Sequence, residues 1–249
     1  MARDYILKKT SIPVELRIDY AQELNEQQYA AVTAEPGPAL VIAGAGSGKT
    51  RTLTYRVAYL LEQGIPEDSI LLLTFTNKAA KEMMARVARL IGTELSRLWG
   101  GTFHSIGNRI LRRYAGKVGW DNDFSIMDRE DAKDLMQACI DDAEIDVKAT
   151  RFPKPRVLCD VFSMASNKGM GIAETLSEHY SHFQHLTLQI EPLFQAYQDR
   201  KRASNCMDFD DLLAQWLRLL KENEDVLEQY QRKFQFILVD EYQDTNQLQ

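Results

Sequence analysis

The chain has 249 residues, 45% of them hydrophobic and 27% charged, with a formal net charge of -6, enough for one large globular domain or two smaller ones. No apolar run approaches the ~20 residues of a membrane span, and the opening MARDYILKKT lacks a secretory apolar core, so a cytoplasmic protein without a membrane partner is expected. Cys139, Cys159 and Cys206 are odd in number and never form a Cys-x-x-Cys pair, which argues against a disulfide framework or a zinc site.

Residues 1–23 carry mixed charge and Pro13 without a sustained period, and read as an N-terminal extension. At Leu24 the pattern changes: in LNEQQYAAV, Asn25 can cap a helix with Gln28 at its third position, a capping box running on through Val32. Gln28 has a second reading, since a side-chain amide can meet adenine N6 and N7 together.

The turn Glu35-Pro36-Gly37-Pro38 leads into VIAGAGSGKT, Val41 to Thr50. Leu40, Val41 and Ile42 read as the end of a buried strand, Ala43 to Gly48 as a small-residue loop, and Lys49 as the start of a helix. Glycines at 44, 46 and 48 let successive backbone N–H groups turn inward around an anion, with a helix N-terminus behind them. Lys49 would reach the β- and γ-phosphates, and the Thr50 hydroxyl would ligate Mg²⁺.

Ser69 to Thr74 is a continuous apolar run of the kind found in strands buried on both faces of a parallel sheet. It empties into TFTNKAAKEM, where Asn77 can cap a basic helix, and Leu98 to Phe103 leads into a second one, HSIGNRILRRY. Each turn places an aromatic, Phe75 or Phe103, beside small polar groups and cations. Such a surface suits single-stranded nucleic acid, and core packing of the same rings is the plainer alternative. Charge is segregated here: residues 75–120 hold nine basic and two acidic side chains, residues 121–146 ten acidic and two basic. That distribution keeps a nucleic-acid partner open despite the negative sum.

From about Gly116 to Arg202 the strand signal stops. Helices are expected over Asp128–Ile140, Pro155–Ser166 and Gln189–Arg202. His179, His182 and His185 are spaced by three, but no Cys or paired carboxylate joins them at a ligand spacing, so they read as solvated or packed. Met207 to Leu220 restarts as an amphipathic helix capped by Asp208, with another helix over Glu224–Phe234. The last strand, Phe236 to Val239, ends in Asp240-Glu241. An apolar strand that delivers two carboxylates to a rim holding a phosphate loop suits Mg²⁺ retention by the first and activation of an attacking water by the second.

Taken in order, these segments resemble the N-terminal portion of the UvrD/Rep/PcrA group of superfamily 1 DNA helicases. LNEQQ resembles the Q motif, AGAGSGKT motif I, TFTNKAAKEM motif Ia, GTFHS motif Ib, DFDDLL the motif before the last helices, and VDEYQDTNQLQ motif II. The resemblance implies an α/β fold: a RecA-like P-loop NTPase domain with a mostly parallel sheet, formed by residues 24–103 and 234–249, plus a helical 1B-like insertion over 104–233. It implies ATP bound by Gln28, Ala43, Gly44, Ala45, Gly46, Ser47, Gly48, Lys49, Thr50 and Arg51. Mg²⁺ would be held by Thr50 and Asp240, with Glu241 and Lys49 catalytic. Phe75, Thr76 and Asn77, with Thr102, Phe103 and His104, would face single-stranded or partly duplex DNA.

The implied activity is 3'-5' translocation and unwinding in DNA repair or replication restart. A recombination helicase-nuclease subunit and an inert nucleic-acid-binding module of the same fold are the alternatives. The chain ends five residues beyond Asp244, so motif III and a second RecA-like domain with arginine fingers are not in it. A fragment that is nearly inactive alone is the expectation.

Overall fold

A computed structural model describes residues 16–148 and 151–249; most of the expected N-terminal extension, residues 1–15, lies outside it. The described part of that stretch is no loose arm. Asp19 caps a one-turn helix, α1 (Tyr20–Glu23), and Tyr20 is buried with Leu24, Val32 and Tyr55. The Tyr20 hydroxyl donates to Glu62 Oε2 at 2.8 Å and the Arg17 N–H to Oε1 at 3.0 Å. Burial of one aromatic side chain is worth about 1.5–3 kcal/mol, so residues 16–23 belong to the folded unit.

Asn25 opens α2 (Glu26–Thr33) through a complete capping box with Gln28, as expected. The strand expected at Leu40–Ile42 is not formed. These residues are unpaired and 70%, 51% and 87% exposed. An apolar run becomes a strand only where a neighbour offers ladder hydrogen bonds, and this run meets none among the described residues. After Gly48 the chain enters α3 (Lys49–Glu62), then β1 (Ile70–Thr74), α4 (Asn77–Ile91), β2 (Trp99–Thr102) and α5 (Phe103–Tyr114). Thr76, not Asn77, caps α4, its hydroxyl accepting from the Ala79 N–H.

The chain continues through β3 (Ser125–Ile126), α6 (Arg129–Asp142), α7 (Pro155–Lys168), α8 (Ile172–His179) and α9 (Thr187–Ala203). It returns through β4 (Cys206–Met207), α10 (Phe209–Glu222), α11 (Glu224–Lys233) and β5 (Phe236–Val239). Strand β1 lies between β2 and β5, all parallel, with Leu72 opposite both Gly100 and Leu238. All five residues of β1 are buried, which is why its sequence reads as an unbroken apolar run. The glycines of β2 have a packing reason: a Cβ at Gly100 would strike the Met84 side chain of α4, and one at Gly101 would strike Ser105. Gly107 lets α5 approach α10 closely, because its Cβ would stand 3.1 Å from the Leu212 carbonyl and 3.2 Å from the Trp216 ring.

The cores divide differently from the expected boundaries. Helices α5, α10 and α11 share one core with β1 and β2, through Phe103, Ile110, Leu212, Val226 and Phe234. A second core, from Met127 to Tyr197, belongs to α6, α7, α8 and α9. The helices with a core of their own, α6 to α9, thus occupy part of the 104–233 span. The neck of this helical unit is clasped by the parallel pair β3–β4 and by Asn205, which accepts from the Asp121 N–H at 3.0 Å and donates to Asp123 Oδ1 at 3.0 Å. Two-residue strands carry no period, so this pair leaves no signal in the sequence. Of the spaced histidines, His179 Nε2 lies 2.8 Å from Lys168 Nζ and His182 packs on Phe183.

Lys201 fastens the helical unit to α10. It occupies the apolar stripe of α9 that includes Ile190, Leu193 and Tyr197, is 1% exposed, and meets Asp208 Oδ2 at 2.7 Å and Asp211 Oδ2 at 2.6 Å. Burial and the adjacent Asp208 push the Asp211 carboxyl up to about 6, against the pull of Lys201. Deleting one member of such a group leaves buried charge uncompensated, at a cost of about 3–5 kcal/mol. Lys201→Ala is expected to lose stability of that order in urea denaturation; a loss below about 1 kcal/mol would show that the cluster is not a fastening.

Candidate nucleotide-binding site

The loop before α3 is built from glycine conformations and its own hydrogen bonds. Gly46 (φ 76°) and Gly48 (φ 85°) occupy the left-handed region, which disfavours side chains by about 1–2 kcal/mol. Gly48 is also the N-cap of α3, with no side chain supplying the cap, so the first N–H groups of the helix face the loop. The Ser47 hydroxyl donates to the Gly44 carbonyl at 2.7 Å. Lys49 folds back over the loop, its Nζ donating to the carbonyls of Ala43 (3.1 Å) and Gly44 (3.2 Å). Residues 43–47 are exposed, so the cradle opens to solvent.

Gln28 links the cap of α2 to the loop. Its Oε1 accepts from the Asn25 N–H at 3.3 Å, completing the cap, and its Nε2 donates to the Ser47 carbonyl at 3.0 Å. A Cβ on Gly48 would come within 2.8 Å of that Nε2. Arg51 turns instead toward α1: Nη2 contacts the Glu23 carbonyl and Glu23 Oε2, both at 2.8 Å, and its guanidinium lies 4.9 Å from the Tyr55 ring centre.

Strand β5 brings the acidic pair to the same place. The Thr50 hydroxyl donates to Asp240 Oδ2 at 3.3 Å, and the Asp240 N–H donates to the Leu73 carbonyl at 2.9 Å, extending the sheet ladder. Burial and the neighbouring Glu241 raise the Asp240 carboxyl above the usual range, opposed by its own bond to the Glu241 N–H and by Thr50 and Lys49. Glu241 has φ 52°, a conformation that costs a non-glycine residue of order 1–3 kcal/mol and concentrates at functional sites. Its Oε2 accepts from Gln243 Nε2. Thr50 and Asp240 together present hard oxygen donors, the chemistry Mg²⁺ takes when one or two protein oxygens and a phosphate complete its shell.

The other two strand ends form the rest of this rim. Phe75 is 56% exposed, with Thr76 and Asn77 exposed beside it. Thr102 caps α5, accepting from the Ser105 N–H at 3.2 Å. Phe103, the first residue of α5, is 8% exposed and belongs to the core with Leu71 and Ile106, so core packing, the plainer alternative for these rings, describes it here. His104 is half-buried against Phe209, ring centres 5.8 Å apart, and burial lowers its pKa against the pull of Asp210.

A family profile described as the UvrD/REP helicase N-terminal domain matches residues 24–249. The chain belongs to that family. An "ATP-dependent DNA helicase PcrA" of Staphylococcus epidermidis (strain RP62A) is 42% identical over 229 residues, covering 92% of this chain and 31% of the relative. A protein of the same name from Staphylococcus aureus (strain Mu50) is 40% identical over 227 residues, covering 91% and 30%. The chain thus spans about a third of the length of these curated relatives.

In this UvrD/REP N-terminal domain the sequence reading missed the contacts that support the site. Glu23 and Tyr55 hold Arg51. Asn167 of α7 donates to Asp210 Oδ1 at 2.7 Å and accepts from Asn246 Nδ2 at 2.6 Å, tying the chain beyond the acidic pair to both helical layers. Only contacts distant in sequence make these residues visible, whereas Lys201 was detectable as a charge on an apolar stripe.

The His104 shift has a measurable consequence. The folded chain resists protonating this ring, so its contribution to stability is whole above the unfolded value of 6.5 and is lost as pH falls from there through the lower folded value. His104→Gln is expected to flatten that acid-side slope in pH-dependent denaturation. An unchanged slope would mean that His104 titrates as a solvated ring.

Proposed function

We propose that this chain is the ATP-binding part of an ATP-dependent DNA helicase, a 3'-5' single-stranded DNA translocase of repair or replication restart in the cytoplasm. The parallel sheet is read as a RecA-like P-loop domain. The helical insertion is placed at 125–207, between the two strands of its neck, in preference to the wider span of the sequence reading. The observation that carries the proposal is the Thr50–Asp240 contact at 3.3 Å, which brings the glycine loop and the acidic strand end together. The relatives' printed name, ATP-dependent DNA helicase, supports the same activity.

The residues divide the work. Backbone N–H groups from Ala43 to Gly48 and the α3 N-terminus would hold the triphosphate, and Lys49 would leave the Ala43 and Gly44 carbonyls to reach it. Gln28, already on Ser47, would carry its amide to the adenine edge. Thr50 and Asp240 would hold Mg²⁺, which when bound supplies charge neutralisation at the phosphate oxygens. Glu241 would take the proton of the attacking water. Phe75, Thr76 and Asn77, with Thr102 and His104, would meet single-stranded DNA, Phe75 as the stacking face.

The segment alone is proposed to bind ATP and DNA weakly and to show almost no DNA-stimulated hydrolysis, as it spans 31% of a relative whose whole length stands behind the named activity. Titration with a fluorescent ATP analogue should saturate, and Lys49→Ala should weaken binding at least tenfold. Phe75→Ala should weaken single-stranded DNA binding by about 1–3 kcal/mol. Equal nucleotide affinity in Lys49→Ala refutes the loop assignment; brisk DNA-stimulated turnover lost in Glu241→Gln refutes the inactivity.

A further inference from the structure

The sheet has a second rim. Asp68 stands just before β1, Trp99 opens β2 and Lys233 ends α11 just before β5, so these residues mark the amino ends of the strands. Four to five residues of strand at ~3.3 Å each put this edge roughly 15 Å from the loop and the acidic pair. Here a cavity of about 400 Å³ is lined by Asp68, Arg97, Trp99, Arg109, Arg113 and Lys233. Four cations face one carboxylate, in a chain whose net charge is -6. Among the described residues no ion pair joins any of the four cations to a carboxylate; Arg97 engages Glu67 only through its backbone N–H, at 2.9 Å.

The pocket is shaped for anions and not for bases. Trp99 is 4% exposed; the Arg109 guanidinium lies 3.6 Å and Lys233 Nζ 4.5 Å from its ring centre, and Phe234 packs at 5.2 Å. No aromatic face is left for an unpaired base to stack on, in contrast to Phe75 on the opposite rim. What the site offers is fixed positive charge, with Arg109 held in place by the ring, and planar guanidinium forks that match phosphate oxygens.

We propose that this pocket binds the phosphate backbone of duplex DNA, independently of sequence, as a second nucleic-acid contact distinct from the single-strand rim. The proposal rests on the reading of the chain as part of a DNA helicase only for its choice of DNA as the polyanion. A duplex turns its bases inward and presents phosphates alone, which is the chemistry this cavity accepts.

The test measures binding of a short labelled duplex by fluorescence anisotropy against salt concentration, for the chain and for Arg97→Ala/Arg113→Ala. Both side chains are exposed and neither lies on the Trp99 ring, so the fold should survive; Arg97→Ala alone serves if the pair does not fold. Each cation removed from a duplex phosphate lowers the slope of log affinity against log salt by about 0.9. A drop of about 1.8 for the double variant, or about 0.9 for the single one, with equal weakening across duplex sequences, supports the site. An unchanged slope overturns it, as does the absence of duplex binding by the parent chain. Single-stranded DNA binding through Phe75 and ATP-analogue binding through Lys49 are read separately, so failure of the pocket and failure of the helicase reading give different results.

Discussion

One hydrogen bond between residues 190 positions apart, from the Thr50 hydroxyl to the Asp240 carboxylate, organises the site. It requires the glycine loop to end in the first turn of α3 and β5 to end beside it. Both follow from β1: its five buried residues take β5 on one side and β2 on the other, and the parallel register carries Asp240 one step past Leu73 to bond that carbonyl. The apolar strand thus sets where the carboxylate stands, although it contributes no functional group. Asp240 and Thr50 are only partly solvated, which strengthens their electrostatic interaction relative to open water.

The strongly packed parts and the open parts have different tasks. Lys201 and Asp211 are buried and Asp208 is partly buried, with Lys201 paired to both carboxylates, and the β3–β4 pair clasps the neck of the helical unit, so this unit is tied to α10. The loop from Ala43 to Ser47 is exposed and satisfies itself through Lys49 and Ser47. Those internal bonds are weak and exchangeable, worth of order 1 kcal/mol each, so an incoming anion can replace them without disturbing the core. The segregated charge follows the same division: the basic stretch supplies α4 and α5 on the sheet, and the acidic stretch supplies the first turn of α6, where Asp128, Glu130 and Asp131 meet the helix N-terminus.

Much of this was legible in the sequence because each signal was local. Caps at Asn25, Asp128 and Asp208 need only residues three apart, and an apolar run such as Ile70–Thr74 announces a strand buried on both faces. What the sequence does not show is what a distant neighbour decides. Leu40–Ile42 has strand composition but meets no ladder partner among the described residues. Phe103 and Phe75 occupy equivalent turns, yet the start of α5 buries one while the other stays in solvent. Residues 16–23 show no sustained period because Glu62, the group that anchors Arg17 and Tyr20, lies about forty positions on. An amphipathic helix does not say which core it covers, and α5, α10 and α11 share theirs with the sheet.

The claim that the loop and the acidic strand end act as one clamp is tested most directly by a double-mutant cycle on ATP binding. Calorimetric affinities would be measured for the chain, Thr50→Val, Asp240→Asn and the double variant, with and without Mg²⁺. The account predicts a coupling of at least about 1 kcal/mol in the presence of Mg²⁺ and close to zero without it. Additive effects under both conditions would contradict it, because the two residues would then serve nucleotide independently.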